Sequence, residues 1–96
     1  RTMRPLCASA TEAVAHGDRK SSKVVGRRID ELPLPSGAQI GAIVRTIHDA
    51  EVYQRVIIPH HDTVIETDDH VIVFVPRKRM VREIEKLFQV SATFMF

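Results

Sequence analysis

The chain has 96 residues, of which 44% are hydrophobic and 27% are charged, and this composition is typical of one small globular domain with a modest core. Its formal net charge is only +2, with four phenylalanines, one tyrosine and no tryptophan, so it lacks the basic stripe with stacking aromatics of nucleic-acid-binding domains. The longest purely apolar run, residues 71–75, is far shorter than the ~20 residues of a membrane-spanning helix.

The first residues predict a linker followed by a strand. Residues 1–11 hold the only cysteine, Cys7, and we expect them to join a preceding domain to this one, which spans residues 12–96. The first element lies at residues 11–16. The pattern alone does not separate strand from helix there, and we treat the element as a strand. Gly17 then marks a turn. A single cysteine fits a reducing cytoplasm. It cannot form an internal disulfide that would stabilise a small core, so a homodimer is favoured as the source of further stability.

The next segment predicts a short amphipathic helix. Ser21 or Ser22 provides an N-cap. Val25, Ile29 and Leu32 follow at the i, i+4, i+7 spacing of one helical face. A proline comes next, and it ends the helix because the residue before a proline is pushed out of the helical region.

A hairpin is predicted at residues 39–58. Its first arm alternates, with Ile40, Ala42 and Val44 on one face. A longish polar loop around His48 separates it from a second arm, which a proline closes.

The last third predicts a buried strand and a helix. Residues 71–75 are all apolar, which indicates a strand at the centre of the sheet that is covered on both faces. Pro76 then precedes an amphipathic helix, whose apolar stripe is formed by Met80, Val81, Ile84, Leu87 and Phe88. The order strand, helix, strand, strand, strand, helix predicts an α+β fold with a small mixed, largely antiparallel sheet.

No residue pattern predicts an enzyme or a metal centre. His60 and His61 are adjacent, which is a poor ligand spacing, and solvated turn histidines are favoured over a bridging metal. Cys7 has no neighbouring base. A turn is favoured over a calcium site for the nearby acids, because the regular ligand spacing and glycine of an EF-hand are missing; these acids are Asp62, Glu66, Asp68 and Asp69.

Three consecutive cations, Arg77, Lys78 and Arg79, stand where the last helix begins. Positive charge at a helix N-terminus opposes the macrodipole. Two interpretations remain open at this point. The favoured one is three solvated side chains, and the other is a site for a phosphate or another anion.

Several phrases resemble a known family. They are "SSKVVGRRIDELPLPSGAQIGAIVR", "VIIPHHDTVIETDDHVIVFVP" and "EKLFQVSATF". Together they are similar to the C-terminal subdomain of the RCK (KTN) regulators of potassium transport, of the TrkA-C type. The resemblance covers residues 12–96.

The resemblance implies a non-enzymatic regulatory and dimerisation module. Its parent protein would form a cytoplasmic ring of RCK subunits, peripheral on the inner face of a bacterial membrane, under a potassium-transport subunit (TrkH/TrkG-like). NAD(H) and ATP would bind the N-terminal subdomains, and this chain would hold no cofactor. The alternative is an effector-sensing subdomain of the same fold in another cation transporter or antiporter.

In some members of the family, cyclic di-AMP is the effector, bound in the dimer cleft. The positions that match its contacts are Pro33, Gln39, Ile40 and Pro59. An arginine of the family pattern is absent at Pro33, and its asparagine is replaced by Gln39, which argues against cyclic di-AMP here. Gln39, Ile40 and Pro59 remain candidate effector or dimer-cleft residues.

Overall fold

The computed structural model describes residues 9–89. Its elements in chain order are β1 (Ser9–Val14), a first 3-10 helix (Ile29–Glu31), β2 (Gln39–His48), β3 (Val52–Ile57), β4 (His70–Val75), a second 3-10 helix (Lys78–Met80) and α1 (Val81–Leu87). β1 begins at Ser9, inside the segment that was assigned to the linker. Its pairing with β4 makes residues 9–11 part of the sheet.

The four strands form one sheet in the order β1-β4-β2-β3. Every neighbouring pair in this sheet is antiparallel. β4 therefore lies inside the sheet, as predicted for the apolar run, while β1 and β3 are its edges. The predicted α+β class with a largely antiparallel sheet is confirmed.

Among the residues that the structure describes, the core covers only one face of this sheet. Val71, Val73 and Val75 on β4 are 0%, 0% and 1% exposed, whereas Phe74 between them is 40% exposed. The prediction that β4 is covered on both faces is therefore wrong, at least within residues 9–89. The layer over the covered face comes from α1 and the segments between strands, and its buried members are Val24, Val25, Leu32, Ile65, Ile84, Leu87 and Phe88.

The predicted helix after Ser22 is also wrong, because the backbone there pairs with a distant segment. Ser22 does cap a turn, and its Oγ accepts two backbone N–H bonds of 3.1 Å. The Gly26 N–H then donates to the Ile65 carbonyl at 2.7 Å, and the Ile65 N–H donates to the Arg27 carbonyl at 3.0 Å. Gly26 has φ of 80°, a left-handed conformation that ends helices. One 3-10 turn, Ile29–Glu31, remains.

The β2–β3 hairpin is confirmed, but its connection is shorter than expected. The two strands pair from Ile43–Ile57 as far as His48–Val52. Residues 49–51 alone connect them, and the Asp49 N–H donates to the Glu51 carbonyl at 3.2 Å. Residues that were expected to form a long loop therefore lengthen the strands.

A bulge at Gly41 changes which side chains of β2 share a face. The pairing register with β4 shifts between Ile40 and Ala42. As a result, Ile40 packs against the same buried cluster as Ile43. The predicted common face of Ile40, Ala42 and Val44 is therefore wrong at Ile40.

The closing amphipathic helix is confirmed as α1, which follows the second 3-10 turn. Ile84 and Leu87 are buried in it, and Met80 and Val81 pack against the core from its start. The helix thus covers the face of the sheet that carries Val73.

Candidate functional site

The β3 edge carries large apolar side chains that are open to solvent. Val52, Tyr53, Val56 and Ile58 are 67%, 49%, 64% and 68% exposed. Within residues 9–89, β3 pairs only with β2, so the N–H and C=O groups along its other edge have no strand partner in this part of the chain. Edge strands are usually protected by lysine, proline or a bulge, and β3 has only Arg55 as a charged residue. This edge is therefore suited to pairing with another strand.

The uncovered face of the sheet continues the apolar surface next to this edge. Ile72 and Phe74 of β4 lie on it, and the pairing register places Val44 of β2 beside His70. The His70 Nδ1 contacts a Glu12 carboxylate oxygen from β1, so the side of the face towards β1 carries this polar pair. The open face is thus apolar in its middle and towards β2.

The candidate effector residues lie at the base of the hairpin. Gln39 begins β2 and is exposed, whereas Ile40 and Pro59 are partly buried. The pair Ile43–Ile57 ends the hairpin ladder, so the start of β2 and the residues after β3 share one end of the hairpin. An effector role for these residues stays a prediction.

The three consecutive cations lie between β4 and α1. Arg77 has an extended conformation, and Lys78 and Arg79 begin the second 3-10 turn. All three are exposed. Two surface grooves meet at Arg79: one reaches towards Gly37, and the other reaches towards Ser9. The structure thus brings these cations to a concave surface, and their anion role stays a prediction.

A buried ion pair just before the start of β4 was missed by sequence reasoning. The Asp69 carboxylate is 1% exposed and accepts two bonds from Arg45 of β2, Nε to Oδ1 at 2.9 Å and Nη2 to Oδ2 at 2.8 Å. The same guanidinium contacts Glu66 at 3.0 Å and donates to the Val64 carbonyl at 3.0 Å. The hydrogen bond to Asp69 raises the pKa of Arg45 above its ordinary value.

This ion pair attaches the segment before β4 to the middle of β2. The turn predicted at the two aspartates is present, with φ of 66° at Asp68, but Asp69 also binds across the sheet. The available signal was Arg45, which follows Ile43 at the spacing of the covered face. A charged residue at such a position requires a partner.

The residues considered for metal or catalytic chemistry do not converge in the described part of the chain. Within residues 9–89, no group of three or more His, Cys, Asp and Glu side chains is placed to hold a metal ion. His60 and His61 are both exposed, and Cys7 lies outside the described residues. No helix between residues 9 and 89 has the length and hydropathy needed to cross a membrane.

Comparison with known proteins identifies close relatives in sequence. Residues 19–89 match the model of the TrkA-C domain. The chain is 52% identical over 93 residues to the Trk system potassium uptake protein TrkA of Halomonas elongata, covering 97% of this chain and 19% of that protein. The protein of that name from Vibrio alginolyticus is 49% identical over 94 residues, covering 98% and 19%. The chain therefore spans about a fifth of the length of these relatives.

Two further matches are more distant, one in sequence and one in fold. A TrkA homolog of Archaeoglobus fulgidus is 36% identical over 70 residues, covering 73% of this chain and 14% of that protein. A solved structure described as "Structure of RCK domain with cda" superposes with a TM-score of 0.59 at 22% identity, covering 85% of this chain and all of that chain. This likeness concerns the fold alone.

Proposed function

The chain belongs to the TrkA-C domain family, and from this premise we propose that it is a regulatory, non-enzymatic module of a Trk-type potassium-uptake system. The names of its curated relatives support the Trk system rather than another cation transporter. In this proposal the parent protein acts at the inner face of the membrane, with further RCK subunits and a potassium-transport subunit as partners. Its nucleotides, NAD(H) or ATP, bind outside this chain.

The module acts as a homodimer, and the exposed β3 edge is the observation that carries this proposal. Its apolar side chains add little to the stability of a monomer, because Val52 and Val56 remain about two-thirds exposed. Pairing with another strand would satisfy the free backbone groups of the edge and remove these side chains from water. A second copy is always available and presents the same edge.

The sequence of β3 is compatible with antiparallel pairing to itself around a two-fold axis. Strands related in this way keep residues of the same face opposite each other. With Gln54 on the axis, Gln54 faces its own copy, Val52 faces Val56, and Tyr53 faces Arg55. No like charges then oppose one another, and the Tyr53–Arg55 pair is favourable. An axis at Arg55 would instead place two arginines directly opposite.

The hairpin also offers a route by which ligand state is coupled to dimer contacts. β2 continues from the core into the hairpin, so a displacement at its base reaches the β3 edge along one strand. We place the effector cleft at that base, beside Gln39, Ile40 and Pro59. A ligand there, or elsewhere in the parent, biases transport only through its different affinity for two arrangements of neighbouring subunits.

Potassium uptake by a chimeric protein tests this function. The C-terminal fifth of the Halomonas elongata relative is replaced by this chain, in cells that depend on the chimera for uptake. We expect the unmodified chimera to support uptake and Gln54→Lys to lower it, since two lysines then meet on the axis. Thr46→Lys is the matched control, because Thr46 pairs with Gln54 from the neighbouring strand.

Two results would contradict the proposal in different ways. An unmodified chimera that folds and assembles but gives no uptake would exclude the regulatory role in a Trk system. Normal uptake by a Gln54→Lys chimera whose C-terminal part is monomeric would leave that role intact and exclude the dimer as its basis.

A further inference from the structure

A groove with a volume of about 820 Å³ opens between the end of β4 and the turn before β2. Pro76, Arg77 and Arg79 line one side, and Ser36 and Gly37 line the other. The two sides are in close contact at the bottom, because a Cβ added to Gly37 would lie 2.9 Å from the Pro76 Cγ. Gly37 also has φ of 86°, which favours glycine. The packing of these two backbone segments therefore shapes the groove.

The cations at this groove are not neutralised by the rest of the described chain. Among residues 9–89, no carboxylate lies within 4.0 Å of Arg77 or Arg79, while Arg28 and Arg45 each contact two carboxylates. The acidic residue at the groove, Glu83, follows Arg79 by four residues and forms no ion pair with it. The groove therefore has a net positive charge.

The turn opposite the arginines supplies further hydrogen-bond donors. The Ala38 N–H donates to the Pro35 carbonyl at 3.0 Å and closes the turn. The N–H groups of Ser36 and Gly37 and the Ser36 hydroxyl have no partner among residues 9–89. Two guanidinium groups and these turn donors thus border one concave surface. That combination suits a tetrahedral anion with several acceptor oxygens.

We propose that this groove binds the phosphate group of a small phosphate ester. Bidentate guanidinium contacts favour phosphate, and the volume lies in the usual range for small-molecule sites. Pro35, Pro76 and Met80 add apolar surface beside the charges, which suits an ester with an organic part better than inorganic phosphate. The site depends on side chains and the turn rather than on a helix dipole, since α1 has seven residues and starts only at Val81.

Amide chemical shifts of the 96-residue chain test the proposal. The probes are potassium phosphate and adenosine monophosphate, each against potassium chloride at equal ionic strength. We expect saturable shifts of Ser36, Gly37 and residues 77–80 with both phosphates and none with chloride. The monophosphate should bind more tightly than the inorganic ion. A phospholipid headgroup has the same chemistry, so vesicles of phosphatidylglycerol and of phosphatidylcholine form a separate arm.

Charge variants separate a site from general surface charge. Arg77→Gln/Arg79→Gln should weaken phosphate binding by roughly tenfold or more. The matched control, Lys20→Gln/Lys23→Gln, removes the same charge from exposed positions elsewhere and should leave the dissociation constant within about twofold. Glu83→Gln should tighten binding, because it removes the carboxylate that repels the anion.

The outcomes distinguish a soluble ester from a lipid headgroup and show which results would overturn the proposal. Saturable binding of adenosine monophosphate that is tighter than that of inorganic phosphate identifies a free ester as the ligand, and binding to phosphatidylglycerol vesicles alone identifies a lipid headgroup. Binding of inorganic phosphate as tightly as of the monophosphate would overturn the assignment to an ester. Equal binding by the Arg77→Gln/Arg79→Gln variant would overturn the proposal, as would shifts that potassium chloride reproduces. Neither of these two results would affect the proposal that the chain dimerises through β3.

Discussion

The two halves of β2 have the same alternating pattern but different surroundings. In the first half, Ile43 is fully buried between the sheet and its covering layer. In the second half, β2 pairs with β3. Val56 of β3 pairs with Val44, the residue after Ile43, and yet Val56 is 64% exposed. Apolar side chains in a period-two pattern therefore specify a strand without specifying what covers it. In the first half the chain covers itself, and in the second half we propose that another copy does.

The largest effect should follow removal of the carboxylate that attaches the loop before β4 to β2. Asp69→Ala leaves the Arg45 guanidinium partly buried without its main partner, and we expect the free energy of unfolding to fall by about 3–5 kcal/mol. Urea unfolding measures this. The double variant Arg45→Met/Asp69→Leu should lose less than Asp69→Ala alone, because it leaves no unpaired charge. A loss below about 1 kcal/mol for Asp69→Ala would show that the pair is not an internal attachment.

Truncation of one apolar side chain in each environment, Ile43 in the first half of β2 and Val56 of β3 beside the second half, compares the two directly. Ile43→Ala should cost about 2–5 kcal/mol, since it opens a cavity in the core. Val56→Ala should stay within about 0.5 kcal/mol in the monomer. Both are measured by urea unfolding in the Gln54→Lys background, where we expect no dimer. Equal losses at the two positions would mean that the hairpin is covered within a single chain.

The bulge in the first half of β2 should be sensitive to any side chain at Gly41. A Cβ there would lie 2.1 Å from the Phe74 Cε2, so Gly41→Ala must displace the ring, and we expect a cost of about 1–3 kcal/mol. Thermal unfolding of Gly41→Ala, Phe74→Val and the double variant forms a cycle. The double variant should lose less stability than the sum of the two single losses. Strictly additive losses would argue against contact between the added Cβ and the Phe74 ring.

The smallest effect should be the change in stability at acid pH that comes from the turn at Asp18, which lies outside β2. The pKa of the exposed Asp18 is lowered from its ordinary 3.8, first by the Ser21 N–H bond, then by the Ser21 hydroxyl and the Lys20 N–H. A lowered folded pKa gives stability that is complete above the unfolded value and is lost as the pH falls through the folded pKa. The urea midpoints of the native chain and Asp18→Asn should therefore converge below pH 3.8. A constant difference across that range would contradict the assignment.

The sequence predicted those elements that depend on local pattern, and it failed where distant segments decide. The strand at residues 71–75, the hairpin and the last helix all follow from periodicity and turn residues, and the structure confirms them. The predicted helix after Ser22 does not form, because Gly26 and Arg27 make backbone hydrogen bonds with Ile65. The side chains of β2 share different faces from those predicted, because the pairing register with β4 shifts at Gly41. Neither effect is encoded in local spacing.

The candidate sites divide in a similar way. The run from Arg77 to Arg79 was visible as a charge pattern, but the groove beside it depends on the turn at Gly37, some forty residues earlier in the sequence. The Arg45–Asp69 pair spans 24 residues, so the sequence offered only a charged residue at a core-facing position. The exposed β3 edge could not be inferred from sequence, because an apolar strand is equally compatible with a buried place in the sheet.

The most direct test of the account is the oligomeric state of three variants, measured by sedimentation equilibrium. We predict that the native chain and Thr46→Lys are dimers, and that Gln54→Lys and Gln54→Glu are monomers when studied alone. Mixing the last two should restore a dimer, because opposite charges then meet on the two-fold axis. A native chain that is monomeric at every accessible concentration, or a Gln54→Lys chain that dimerises as the native chain does, would contradict pairing through β3.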